Sequence, residues 1–325
     1  MAELRKDPVS GNWVVVGYER TQPVDINICP FCPGNEHMTS HVIREFRDAD
    51  GAWLVRCFPA ANPVFAIEVP EHKRAEGIFD KMGNVGAHEI VVEARSHTKT
   101  LSAFDEHQLS LLFDMYRERI MDLKKDKRFR YVHVFKNHGQ LAGSAIFHPH
   151  SHVLATPIVP QRVAWELTNS RNHYRQKERC LFCDIIAQEL RQEKRVVSVN
   201  DRFAAFTPFA PRFPFEVWIA PRRHSDSFES MTDRATQKDF ISLFLEIMKR
   251  VEKVAPSYSV SIHTSPNPTE RGFIEEDVPV SDYFHWHLEI LPRDLRTSTY
   301  KREDEFYVIS VTPEETAQLL KAQEV

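Results

Sequence analysis

The 325-residue sequence predicts an α+β fold of two similar halves, each a mainly antiparallel sheet with packed helices. The first observation behind this prediction is a series of features that occurs twice in the same order. It consists of a Cys-x-x-Cys pair, a histidine, an amphipathic helix, a strand and a His-x-His segment. Such an ordered recurrence indicates an internal duplication. It places the boundary near residues 165 to 175, so the predicted domains are residues 1–170 and 171–325.

The second observation is helical periodicity in the middle of each half. Ser102 and Asp105 resemble a capping start for the first helix, and Thr232 is the predicted cap of the second, which Pro256 ends. Apolar residues then recur at intervals of three and four, as expected for helices that cover a sheet. They are Leu109, Leu112, Phe113, Tyr116, Ile120 and Leu123 in the first half, and Phe240, Leu243, Phe244, Ile247, Val251 and Val254 in the second.

The third observation is a set of short stretches that alternate in polarity or are rich in β-branched residues. They include residues 13–16, 89–92, 131–135, 196–199, 216–219 and 258–262. Several are joined by turns too short for a crossover helix, so the predicted sheets are largely antiparallel.

Composition and charge exclude several classes of partner. The net charge is −4 and the pI is near 6.5, which leaves no basic surplus for a nucleic acid or an anionic membrane. Residues 1–7 have no apolar core of a signal peptide, and no stretch approaches the ~18 apolar residues of a membrane span. The predicted location is therefore the cytoplasm. Four of the five cysteines form the two Cys-x-x-Cys pairs, which favours metal ligation over disulfides there.

Two zinc sites are predicted, one in each half. Zinc favours four thiolate or imidazole ligands, and each Cys-x-x-Cys pair has two histidines at matching places in the series. The predicted ligands are Cys29, Cys32, His97 and His148 in the first site, and Cys180, Cys183, His224 and His285 in the second. Four protein ligands leave no open position, so the expected role is structural. The alternatives are unmetallated core cysteines and, in the first site, His37 or His41 as ligands in place of His97.

The segment from His148 to His152 carries the predicted chemistry. Alternate residues of a strand share a face, so His148, His150 and His152 point the same way. A zinc-bound His148 would fix the position of His150, whose imidazole could attack phosphorus and carry the group covalently. Asn137, Gly139 and the Gly143–Ser144 pair could place hydrogen-bond donors around phosphate oxygens. The alternatives are a metal cluster of all three histidines and ordinary surface histidines.

Several motifs together give the chain a family likeness. It resembles the galactose-1-phosphate uridylyltransferase branch of the histidine-triad superfamily, including its ADP-glucose phosphorylase relatives. The likeness covers nearly the whole length. It rests on Arg5-Lys6-Asp7-Pro8-Val9-Ser10-Gly11-Asn12-Trp13-Val14, Cys29-Pro30-Phe31-Cys32, Gly86-Ala87-His88-Glu89-Ile90-Val91, His148-Pro149-His150-Ser151 and Tyr283-Phe284-His285-Trp286-His287. The resemblance implies two histidine-triad-like halves.

The resemblance also implies a two-step reaction. The counterpart of His150 attacks the α-phosphorus of a nucleotide sugar and releases the sugar 1-phosphate. A second sugar 1-phosphate, or phosphate itself, then takes the nucleotide from the histidine. The implied second metal site has two versions, Cys-x-x-Cys with two histidines or a set of Glu189, His263, His285 and His287, of which the cysteines favour the first. Members are commonly dimers, so a homodimer is the implied assembly.

The sequence departs from the family pattern at several substrate positions. His152 stands where the uridylyltransferases usually have Gln, as in the histidine-triad hydrolases. Ala145 stands where the family commonly has Ser, although Ser144 adjoins it. Three segments also differ from the family pattern: Pro59-Ala60-Ala61-Asn62, Arg20-Thr21-Gln22-Pro23 and Thr299-Tyr300-Lys301-Arg302. The predicted catalytic residues are His150 and His152, and the predicted substrate-binding residues are Arg20, Asn62, Asn137, Gly143 and Ser144.

The leading hypothesis is nucleotidyl transfer from a UDP- or ADP-hexose to phosphate or a sugar phosphate. The second is a nucleotide hydrolase or phosphorylase in which His152 handles the leaving group. The third is a zinc-stabilised binding protein without catalysis.

Overall fold

The computed structural model describes residues 2–19, 28–267, 278–293 and 307–325. Its strands are β1 (Glu3–Lys6), β2 (Trp13–Val16), β3 (Arg44–Arg47), β4 (Trp53–Pro59), β5 (Arg74–Glu76), β6 (Phe79–Gly83), β7 (Ala87–Val92), β8 (Tyr131–His138), β9 (His150–Thr156), β10 (Val196–Val199), β11 (Phe203–Phe206), β12 (Val217–Pro221), β13 (Tyr258–His263) and β14 (His287–Pro292). Its α-helices are α1 (Glu106–Leu123), α2 (Gln161–Lys177), α3 (Leu181–Gln192), α4 (Arg234–Val254), α5 (Val280–Tyr283) and α6 (Pro313–Lys321).

Strands from both halves form one antiparallel sheet in the order β10-β11-β12-β14-β13-β8-β9-β7-β4-β3. Read outwards from the central β13–β8 pair, the two sides use their strands in the same sequence of connections. The α+β class with two duplicated halves is therefore confirmed. The two half-sheets are continuous because β8 and β13 pair with each other, from Val134 with Ile262 to His138 with Tyr258. A smaller sheet has the order β2-β1-β6-β5.

Helices α1 and α4 cover one face of the large sheet and pack against each other. The ring centroid of Phe113 in α1 lies 4.8 Å from that of Phe240 and 5.1 Å from that of Phe244, both in α4. Each helix has an aspartate N-cap, Asp105 and Asp233, whose side chain accepts a backbone N–H three residues on. The predicted cap at Thr232 is thus wrong by one residue, since the Asp233 carboxylate makes this bond.

The histidines of β9 lie on the opposite face. The Ser151 hydroxyl is 2.5 Å from the hydroxyl of Tyr116 in α1, so Ser151 points towards the helices. His150 and His152, on either side of it, point away from them. In the second half, α3 packs on this same outer face against Ala204, Phe206 and Ala220. Among the described residues, no helix is both long and apolar enough to span a bilayer.

Candidate active site and metal centres

The first predicted metal set is brought together by four separate segments. Cys29, Cys32, His97 and His148 place their donor atoms within 4.8 Å of one another. The Sγ of Cys32 is 3.4 Å from Nδ1 of His97 and 3.6 Å from Nδ1 of His148. A tetrahedral zinc with ordinary Zn–S and Zn–N bonds separates sulfur from nitrogen by about 3.6 Å. The donor set and its spacing therefore fit zinc. The rivals His37 and His41 are not among these donors.

The second predicted set has almost the same geometry. The Sγ of Cys183 is 3.4 Å from Nδ1 of His224 and 3.5 Å from Nδ1 of His285, and Cys180 completes the group. The ring centroids of His224 and His285 are 5.4 Å apart, with an angle of 83° between the ring planes. The corresponding values for His97 and His148 are 5.4 Å and 84°. The duplication thus extends from the order of the elements to the position of individual donor atoms.

Hydrogen bonds outside the donor groups orient the ligand histidines. His148 donates through Nε2 to the carbonyl of Ala94 at 2.7 Å, and His285 donates through Nε2 to that of Pro221 at 2.9 Å. A proton held at Nε2 leaves the Nδ1 lone pair free for a metal. His224 is held in the same way by the carbonyl of Ser281, at 2.6 Å. In all three histidines Nδ1 is therefore the nitrogen left free for a metal, and it faces the cysteines.

The surroundings of the second predicted metal set favour a thiolate. A hydrogen bond from Cys183 lowers the pKa of the Cys180 thiol and raises that of Cys183, because the pair shares a proton. Contact with Cys180 raises the pKa of His224 to about 9. Thiolate is the form of cysteine that binds metal.

His150 has the geometry of a nucleophile. Its Nδ1 lies 2.8 Å from the carbonyl oxygen of His148 and donates to it, so its Nε2 carries a free lone pair. Burial lowers the pKa of His150 to about 4, although the bond to the His148 carbonyl acts in the opposite direction. The imidazole is therefore neutral at pH 7 and able to attack.

A buried polar network supports His150 from the helix side of the sheet. The Nζ of Lys136 lies 2.7 Å from a carboxylate oxygen of Glu93 and 3.3 Å from the carbonyl of His150. The other oxygen of Glu93 accepts from the hydroxyl of Ser151, which also contacts Tyr116. These groups tie the carbonyl of His150 and the side chain of Ser151 to β8, to α1 and to Glu93, which directly follows β7.

His152 lies beside His150, with the two ring centroids 5.2 Å apart. Phe135 of β8 stacks on it at 4.9 Å and 16°. Its Nδ1 is 3.0 Å from Nε2 of His88 on β7. His88 lies in the Gly86–Val91 family motif, but the motif alone predicts no role for it. The register of β7 and β9 pairs His88 with Leu154 and so brings His152 to the diagonal position, which local spacing does not reveal.

The predicted substrate-binding residues have different positions. Asn137 follows Phe135 by two residues on β8, on the same face, and accepts from Ser259 at 2.9 Å. Gly143 has a φ of +84°, which favours glycine, in the loop that leads to His148. The Ser144 hydroxyl donates to the carbonyl of Ile146 in the same loop. Asn62 follows β4, and its carbonyl accepts from Tyr18. Arg20 lies outside the described residues, as does the segment 299–302.

The alternative second metal set is not assembled. Glu189 forms an ion pair with Arg195 at 2.8 Å, and His285 lies with the cysteines. His263 and His287 instead meet Glu166 and Glu289 in a third buried group of donor atoms. These glutamates could not be predicted as part of the group from local spacing, because only the pairing of β13 with β14 and the position of α2 bring them together.

Protein charges fill this third group. His263 lies 2.8 Å from Glu166 and 3.4 Å from Glu289, and these carboxylates raise its pKa despite the opposing effect of burial. Arg162 lies 2.9 Å from Glu166, and Arg212 lies 2.5 Å from Glu289. Both carboxylates are therefore paired with cations of the chain itself, whereas Nε2 of His287 has no hydrogen-bond partner among the described residues.

The fold and this site define a class. A duplicated sheet, two Cys₂His₂ donor sets and a buried neutral histidine beside one of them suit an enzyme that transfers a nucleotidyl group. Two family models match the chain, the galactose-1-phosphate uridyl transferase N-terminal domain over residues 2–160 and its C-terminal domain over residues 166–304. The chain belongs to the galactose-1-phosphate uridyl transferase family.

Individual relatives carry two activities in their names. An ADP-glucose phosphorylase of Arabidopsis thaliana is 28% identical, over 98% of this chain and 92% of its own length. A galactose-1-phosphate uridylyltransferase of Thermotoga maritima is also 28% identical, over 100% of this chain and 99% of its own. A uridylyltransferase structure superposes with a TM-score of 0.82 at 29% identity, covering 98% of this chain and 97% of that one. The Arabidopsis phosphorylase with bound ADP-glucose gives 0.79 at 28% identity, covering 100% of both chains.

Proposed function

We propose that the chain transfers a nucleotidyl group from a nucleotide sugar to phosphate or a sugar 1-phosphate through a covalent intermediate on His150. The observation that carries this proposal is the hydrogen bond from Nδ1 of His150 to the His148 carbonyl, which aims an unprotonated Nε2 at the outer face of the sheet. Family membership and the names of the relatives support the substrate class.

The reaction has two steps, and the P–N bond that forms in the first breaks in the second. In the first, Nε2 of His150 attacks the α-phosphorus, the P–N bond forms, and the P–O bond to the sugar 1-phosphate breaks. The leaving group departs with the electron pair. In the second, an oxygen of the acceptor phosphate attacks the same phosphorus and the P–N bond breaks, which regenerates the neutral imidazole.

Zinc in the two Cys₂His₂ centres would have a structural part in this scheme. Four protein ligands leave no position for substrate or water. Cys29, Cys32, His97 and His148 would hold one ion, and Cys180, Cys183, His224 and His285 the other. Zinc at the first centre would also fix the position of His150, because the ligand His148 precedes it by two residues and its carbonyl fixes the tautomer of His150.

Intact mass spectrometry tests the proposal. The protein is mixed with UDP-glucose or ADP-glucose without acceptor, quenched at alkaline pH and weighed. We expect a nucleotidyl adduct that is labile to acid and absent from His150→Gly. His72→Gly is the matched control, because His72 is exposed and its φ of +36° suits glycine. No adduct and no turnover with either nucleotide sugar would refute the proposal.

The acceptor is identified by chasing the adduct. Phosphate, a hexose 1-phosphate and buffer alone are added in parallel, and the product is a nucleoside diphosphate, a nucleotide sugar or a nucleoside monophosphate, respectively. Faster consumption by phosphate would place the chain with the phosphorylases, and faster consumption by the hexose 1-phosphate with the uridylyltransferases. Rapid loss to water would favour the hydrolase alternative, in which His152 acts on the leaving group or on water.

A further inference from the structure

A chain of hydrogen bonds leads from the backbone after β4 to the residue beside the nucleophile. The backbone N–H of Val64 donates to Nδ1 of His88 at 3.3 Å. A neutral imidazole has one protonated nitrogen, so the proton of His88 is on Nε2. That nitrogen lies 3.0 Å from Nδ1 of His152 and donates to it. The proton of His152 is in turn on its own Nε2.

Both rings are neutral and held in place. Burial lowers the pKa of His88 and that of His152 to about 3, so neither carries a second proton near neutrality. The stack of Phe135 on His152, at an interplanar angle of 16°, fixes the plane of the ring. Among the described residues no protein group bonds to Nε2 of His152, which is half-buried on the face that carries His150. One N–H donor with a defined direction is therefore left for a ligand.

We propose that His88 is a positioning residue that holds His152 in the tautomer protonated at Nε2. In this tautomer the Nε2–H of His152 donates a hydrogen bond to a non-bridging oxygen of the phosphoryl group transferred at His150. This inference rests on the proposed nucleotidyl transfer. Charge on those oxygens changes as the P–N bond forms and breaks, and a fixed donor stabilises the transition state.

The same tautomer determines whether His152 can activate water. A histidine activates water through an unprotonated ring nitrogen. In His152 one nitrogen is protonated and the other accepts from His88, so the residue has no lone pair left to act as a base. The His88–His152 pair thus favours transfer to phosphate over hydrolysis, although a histidine at this position alone would suggest a hydrolase.

Two isosteric pairs of variants test the proposal. The amide nitrogen of glutamine matches Nε2 of histidine, whereas that of asparagine matches Nδ1. We expect His88→Gln to retain the rate of adduct formation within about threefold and His88→Asn to lower it by about 10- to 100-fold, as for the partners that orient metal-binding histidines. We expect the same order for His152→Gln and His152→Asn, with a loss of about 100-fold or more for the asparagine variant. The KM for the nucleotide sugar should change little, since the donor acts on the transition state.

A double variant separates positioning from a general structural effect. If His88 acts through His152, His88→Asn costs nothing further in a protein that already carries His152→Asn. Additive losses in the double variant would overturn the proposal. Zinc content and melting temperature are measured for every variant to show that it is folded.

Nitrogen-15 NMR of the wild-type histidine rings gives a second test that needs no turnover. The proposal requires an unprotonated Nδ1 and a protonated Nε2 in both His88 and His152 at pH 7. A protonated Nδ1 in His152, or a charged ring, would overturn it even if the enzyme is an active transferase. Absence of a nucleotidyl adduct in the wild type would instead refute the proposed function.

Discussion

At the scale of single residues, the least expected feature is a buried lysine next to His150, the proposed nucleophile. Lys136 is 3% exposed and Glu93 is 0% exposed, and their charges lie 2.7 Å apart. A buried ion pair is costly to form but far more costly to break on one side, because the remaining charge has no water and no partner. Lys136 of this pair also bonds to the backbone carbonyl of His150, so the pair supports both the stability of the core and the position of His150.

Removal of the lysine alone should therefore destabilise the protein strongly. We expect Lys136→Met to lower the free energy of unfolding in urea by about 3 to 5 kcal/mol, and the double variant Lys136→Met/Glu93→Gln to recover part of that loss. A loss below about 1 kcal/mol in the single variant, the value typical of an exposed ion pair, would contradict this prediction. The nucleotidyl adduct should form more slowly in both variants.

At the scale of elements, the features that repeat along the chain could be predicted from the sequence. The two helices, the two Cys₂His₂ donor sets and the alternation that puts His150 and His152 on one face all follow from local spacing. The features that depend on strand register could not. His88 reaches His152 through the β7–β9 pairing, and Glu289 reaches His263 through the β13–β14 pairing. Register is determined by contacts between distant segments. The family resemblance therefore pointed to Glu189, whereas the fold brings Glu166 and Glu289 to His263 and His287.

Helix α1 offers a prediction that separates stability from chemistry. The Asp105 carboxylate accepts the backbone N–H of Gln108 at 2.8 Å and so satisfies one of the free donors of the first turn. We expect Asp105→Ala to cost about 1 kcal/mol of unfolding free energy, whereas Asp105→Asn, which keeps an acceptor, should cost much less. Both variants should form the adduct at the wild-type rate. A slower rate in Asp105→Ala would show that the first turn of α1 affects the position of β9.

At the scale of the whole molecule, the duplication has left two equivalent histidines with unequal surroundings. His287 occupies in the second half the place of His150 in the first, with its Nδ1 3.3 Å from the carbonyl of His285. Phe182 and Trp218 stack on it at 4.7 and 4.9 Å, and it is fully buried. Glu289 stands where the first half has His152. We therefore expect one nucleotidyl group per chain, on His150 alone.

The two Cys₂His₂ donor sets, in contrast, have remained equivalent, and metal analysis can test both. We expect two zinc ions per chain and one in either Cys29→Ser or Cys180→Ser, because each substitution removes a thiolate from one tetrahedral set. Adduct formation should slow more in Cys29→Ser, since only that centre contains His148, whose carbonyl fixes His150. A third metal ion, lost in Glu166→Gln, would contradict the count. It would show that the ion replaces the charge compensation that Arg162, Arg212 and His263 supply to Glu166 and Glu289.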